Sequence, residues 1–93
     1  MKTIYLTYYA YLREETGISE ETVQTLAKTA QELYVELQGR YKLKLPATSL
    51  KVSINDNFSS FKASLVSGDH VVYLPPVAGG QGLRNQTRRV IWK

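Results

Sequence analysis

The sequence predicts an α+β domain, a mixed sheet of about five strands with one main helix packed across it. Three stretches carry that reading. The chain opens on Lys2 to Tyr9, where Ile4, Leu6 and Tyr8 alternate with Thr3, Tyr5, Thr7 and Tyr9, the period of a strand. In the middle, Ala30, Leu33, Tyr34, Leu37 and Tyr41 fall at i, i+3, i+4, i+7 and i+11, a single apolar helical stripe. Near the far end, Val71-Val72-Tyr73-Leu74 is a short β-rich run buried on both faces, stopped by Pro75 and Pro76.

The elements follow in order. The opening strand carries aromatics on its second face, which implies that this face is partly covered. Ala10 to Glu15 is a helix-prone link stopped at Gly17, and a second strand runs roughly from Glu20 to Leu26, polar enough to lie at an edge. Thr29-Ala30-Gln31-Glu32 is a capping box: the Thr29 hydroxyl can accept from the N-H of Glu32, three residues on, so the helix starts there and ends between Gly39 and Tyr41. Lys42 to Ser49 is a loop broken by Pro46. Leu50, Val52 and Ile54 mark a third strand, Asn55-Asp56-Asn57 a turn, Phe58 to Phe61 a short pairing segment, and Ser67-Gly68-Asp69 the turn into the last strand. This order suits a β-grasp, whose first and last strands lie parallel and adjacent because the intervening elements form the crossover.

At 93 residues the chain makes one small domain with a thin core. Its net charge of +4 resides outside the predicted body: residues 1–80 hold eight basic and eight acidic groups, while Arg84, Arg88, Arg89 and Lys93 supply the excess. The body therefore has no bias toward phosphate backbones, and nucleic acid is not expected as its partner. The absence of cysteine excludes a disulfide framework, a thiolate metal site and a thiol nucleophile. No His, Asp or Glu pair has metal-ligand spacing, so no metal is expected. No run reaches the length of a signal peptide core or a membrane span, and a cytoplasmic location is expected. Asp69-His70 does not make a hydrolase pair, since neighbours on a strand point to opposite faces and no nucleophile elbow is present.

The remaining feature is an arm. Pro75 and Pro76 lack N-H donors and fix their own φ, so the chain leaves the sheet extended and presents Gly79-Gly80 away from the body. Two glycines there let the backbone enter a slot too narrow for a Cβ. A flexible linker would also use a glycine pair. Leu65, Gly68-Asp69, Val71 and Pro75-Pro76-Val77-Ala78-Gly79-Gly80 resemble, without a gap, the C-terminal signature of the small, ubiquitin-like subunit of molybdopterin synthase. Ala10-Tyr11-Leu12-Arg13-Glu14-Glu15-Thr16-Gly17 is similar to that family's Ala-x-x-Arg-Glu-x-x-Gly segment, so the resemblance covers residues 1–80.

The resemblance implies a sulfur carrier for molybdenum cofactor biosynthesis that is no enzyme on its own and binds no cofactor. ATP would be used by an adenylating activating enzyme to convert the Gly80 carboxylate to an acyl adenylate, which sulfur then turns into a thiocarboxylate. The loaded arm, with Gly79 before the reacting carbonyl, would enter the large catalytic subunit. Tyr9, Phe58 and Leu74 match the apolar patch by which the family's small subunit meets the large one, though these three would also serve as ordinary core; Pro75, Pro76 and Val77 would seat the arm, Val77 being otherwise an exposed valine of no importance. The departure from the pattern is the basic stretch 81–93 after the second glycine, where the family usually ends. It divides the chain into a carrier domain, 1–80, and a basic tail, 81–93, expected to be disordered and removed by a protease. Alternatives stay open: a carrier for thiamine, cysteine or tRNA thiolation, a protein modifier, or a non-catalytic binding module with a basic tail. Gly79-Gly80-Gln81 also occurs as the catalytic tripeptide of peptide-release hydrolases, but the rest of that domain is missing here.

Overall fold

The computed structural model describes residues 1–75. The elements are β1 (Lys2–Tyr8), α1 (Ala10–Thr16), β2 (Glu20–Thr25), α2 (Ala30–Tyr41), a 3-10 turn at Ala47–Ser49, β3 (Lys51–Ile54), β4 (Asn57–Ser59) and β5 (His70–Leu74). They form one five-stranded sheet in the order β2-β1-β5-β3-β4. β1 and β5 pair in parallel at its centre, and the other pairs are antiparallel. This is the β-grasp expected from the element order, with β2 at an edge. The helix-prone link is a true helix, α1, closed by Gly17 at φ 79, a left-handed position that suits a residue without a Cβ.

α2 begins as its capping box requires. Glu32 N donates to the Thr29 hydroxyl at 3.2 Å, and the Glu32 carboxylate reaches back to accept from Lys28 N at 2.8 Å. Ala30, Leu33, Tyr34 and Leu37 are buried against Ile4, Leu6 and Tyr8 of β1, Val52 of β3, and Val71 and Tyr73 of β5. Tyr73 links the two layers: its ring lies 5.0 Å from that of Tyr34, and its hydroxyl donates to the Ala30 carbonyl at 2.7 Å.

Two expectations change at this level. The pairing segment ends at Ser59, because a turn closed by Ala63 N to Ser60 O swings the chain inward; Phe61 then stacks on Tyr73, with ring centroids 5.9 Å apart. The second face of β1 is open: Tyr5 is 47% and Tyr9 49% exposed, because both helices pack on the opposite side with Ile4, Leu6 and Tyr8.

β5 is held from both sides. Asn55 and Asp56, at φ 53 and 71, make the left-handed hairpin turn between β3 and β4. Asn55 N donates to the His70 carbonyl at 2.8 Å, and His70 N donates back to Asn55 Oδ1 at 2.9 Å. The buried Asp69 carboxylate accepts from Asn55 Nδ2 and Val66 N, both at 2.9 Å. The turn into the last strand is thus clamped to the hairpin beside it.

Candidate functional site

The pleat sends Thr3, Tyr5, Thr7 and Tyr9 to the open side of the sheet, and the register fixes what stands beside them. Tyr5 lies between Thr22 of β2 and His70 of β5, and Thr7 between Glu20 and Val72. Val72 in turn faces Ser53 of β3, which faces Phe58 of β4. Leu74 stands beside Lys51. Tyr9 follows Tyr8 with extended backbone, φ -123 and ψ 155, so it prolongs the open-side row next to Leu74 before α1 begins.

The three patch candidates therefore meet on one face. Phe58 is 71% exposed, Tyr9 is about half exposed and Leu74 is half-buried, and none belongs to the buried core cluster. Pro75 is buried where β5 ends, a position in which its missing N-H stops the ladder. Pro76, Val77, Gly79, Gly80 and the basic tail lie outside the described residues. The strand that leads to them is described: β5 delivers the chain from the centre of the sheet, at the same end as Tyr9.

Sequence reasoning passed over several residues of this face. Tyr5, Thr7, Val72, Ser53 and Lys51 surround the candidates, and strand parity was the signal that could have found them. His70 enters the central strand β5, where it is half-buried and its Nε2 lies 2.6 Å from the Thr7 hydroxyl. Asp69 points away to its own clamp, so the two neighbours do diverge. Beside them the open face dips into a shallow depression of about 570 Å³ lined by Tyr5, Thr7, Glu20, Thr22 and His70.

The covered side holds a polar cluster. Leu6 pairs with Glu21, which turns that carboxylate toward α2, where the hydroxyls of Tyr8 and Tyr41 both donate to Oε2 and Arg40 stands 3.8 Å from Oε1. Burial, then the Glu21 hydrogen bond and charge, raise the pKa of Tyr8 and Tyr41. Burial also raises Tyr73 and pushes Tyr34 up to about 12. These are closed, structural contacts. Among the described residues no group of three or more His, Cys, Asp or Glu side chains is placed to hold a metal ion. Nor is any helix among them long and apolar enough to cross a membrane.

A central parallel β1/β5 pair, with one sheet face packed on α2 and the other open, defines a ubiquitin-like β-grasp. The model of the ThiS family matches residues 6–80, and the chain belongs to that family. Its fold is shared by SAMP1 from Haloferax volcanii, at 20% identity and a TM-score of 0.68 over 84% of this chain and 99% of that one. It is shared as well by a chain of the complex of subunits 1 and 2 of molybdopterin-converting factor from Helicobacter pylori 26695, at 24% identity and a TM-score of 0.60 over 84% and 99%. A chain of the BexX/CysO complex from Amycolatopsis orientalis gives 25% identity and a TM-score of 0.60 over 83% and 99%. Among curated proteins no match is found.

Proposed function

We propose that this chain is a sulfur carrier for molybdenum cofactor biosynthesis, with its reacting carbonyl on Gly80. The observation that carries the reading is the span of the family match, which ends at Gly80, the second glycine of the pair. Removal of 81–93 by a protease would free that carboxylate. In the activating enzyme, one carboxylate oxygen attacks the α-phosphorus of ATP and pyrophosphate leaves. A sulfide-level nucleophile then attacks the acyl carbon and AMP departs, leaving a thiocarboxylate. Activation is needed because a bare carboxylate is a poor electrophile. Inside a complex with the large catalytic subunit the sulfur passes to the dithiolene of the pterin.

The carrier's own contribution is placement. An arm rooted in the central strand brings the acyl group to the partner's catalytic residues, which is the entropic part of catalysis. The open face with Tyr9, Phe58 and Leu74, at the end from which the arm departs, suits a partner that grips body and arm together. The chain itself has no enzymatic activity in this reading. SAMP1 among the similar structures favours a second reading, a protein modifier that forms isopeptide bonds through the same carboxylate. The partner retrieved separates the two.

The test is the intact mass of the protein recovered from its native cytoplasm. A species ending at Gly80, with sulfur replacing one carboxylate oxygen, is the expected result. A population ending only at Lys93 would overturn the carrier reading.

A further inference from the structure

We propose that residues 81–93 dock on the open sheet face of their own chain, with Trp92 seated in the depression between Tyr5, Thr7, Glu20, Thr22 and His70. The consequence for function rests on the carrier reading: cutting after Gly80 would then free the carboxylate and uncover the partner-binding face in one step.

Three observations point to this occupant. The first is geometry. β1 and β5 run in parallel and end together, while β2 runs antiparallel to β1 and begins at Glu20, so the root of the tail and Glu20 share one end of the sheet. They are separated by two strand spacings, roughly 10 Å. Trp92 lies eighteen residues after Leu74, a length that reaches at most about 60 Å and so returns to the face with slack.

The second is charge. Of the carboxylates near that end, Glu20 faces the open side beside Thr7, whereas Glu21 is turned toward α2, where it makes the one ion pair among the described residues, with Arg40. Exposed Glu20 has no ion-pair partner among the described residues, and the tail brings Arg84, Arg88, Arg89 and Lys93. The third is composition. The face exposes Tyr5, Tyr9 and Phe58, and Val90-Ile91-Trp92 is the most apolar run beyond the diglycine. The indole N-H can only donate, and the Glu20 carboxylate at the depression's rim can only accept when ionised.

Tethering makes a weak contact sufficient. A short flexible linker supplies an effective concentration on the order of millimolar, so a segment that binds as a separate peptide at about 100 µM would be docked about ten to one in the intact chain.

Trp92 is the sole tryptophan, so its fluorescence reads the contact directly. Acrylamide quenching would be compared between the full chain and a separate 81–93 peptide. In the full chain Trp92 is expected to be protected at all protein concentrations. Tyr5→Ser and Glu20→Lys should remove that protection. Val35→Ser, on the exposed side of α2, should not. All three positions lie outside the buried core, so the fold is kept. Quenching equal to that of the free peptide would overturn docking, as would protection that grows with protein concentration, which would place the tail on a second copy. Because the readout uses the uncut chain, a carrier that loads normally with an unprotected Trp92 refutes docking alone. A protected Trp92 on a chain never processed refutes the carrier reading alone.

Discussion

Phe58→Ala separates a docking residue from a folding residue. In the free domain 71% of Phe58 is in solvent, on the outer strand β4, so truncation removes little buried surface. Full burial of a phenylalanine side chain contributes about 1.5–3 kcal/mol. If a partner covers the exposed part, the mutation forfeits about 1–2 kcal/mol of association, a rise in Kd of about 5- to 30-fold. The cost to folding is then under about 1 kcal/mol, which for a domain of this size lowers Tm by less than about 8 °C. Leu33→Ala should behave in the opposite way: Leu33 is fully buried on α2, and its truncation costs about 2–5 kcal/mol of stability. The assay is calorimetric titration of each variant with the larger subunit, alongside thermal unfolding of the carrier alone. An unchanged Kd for Phe58→Ala would refute the open face as the docking surface. A large fall in Tm with that variant would mean Phe58 supports the fold after all.

Three further outcomes are expected. Tyr8, Tyr34 and Tyr73 are buried with pKa raised above the ordinary tyrosine value near 10, so the stability they supply is intact below pH 10 and lost as pH rises through their folded values. Together they remove up to about 4 kcal/mol per pH unit above 10; the urea midpoint should collapse between pH 10 and 12, and a flat profile there would contradict the burial argument. Asp69→Ala strips the acceptor from Asn55 Nδ2 and Val66 N and should cost about 1–3 kcal/mol in urea unfolding; an unchanged midpoint would show that the clamp does not hold β5. Gly80→Ala should leave Tm unchanged, since among the described residues the buried core already closes between Ile4 and Tyr73, while intact mass shows no loading by the activating enzyme; normal loading would refute the steric requirement for glycine.

What the sequence made legible was local or strictly periodic. The Thr29 and Glu32 cap spans four positions, the α2 stripe repeats at one period, and β1 alternates without a break, so each could be read without knowing its neighbours. The site divides along the same line. Tyr9, Phe58 and Leu74 were visible through a resemblance, but their meeting on one face depends on β1 pairing with β5 and on Ser53 bridging Val72 to Phe58, contacts between segments far apart in the chain. Thr7 with His70 and Glu21 with Tyr8 and Tyr41 escaped for that reason: each is a polar side chain whose partner lies at least thirteen residues away. Phe61 escaped because a tight turn, not the strand period, decides which way it points.

In the proposed carrier reading, the placement of β5 would let such a thin domain serve an arm. Its residues hydrogen-bond to β1 on one side and β3 on the other, and its inward side chains Val71 and Tyr73 are buried completely. A strand in that position is released only when the sheet itself opens, so its opening free energy approaches that of global unfolding. An edge strand would fray and let the arm's direction wander. In the proposed carrier reading, a diglycine that follows the central strand would have the accuracy of its presentation tied to the stability of the whole body. The exposed Tyr5, Tyr9 and Phe58 of the open face need no cover for stability, because the core on the opposite side already supplies the burial that holds the fold.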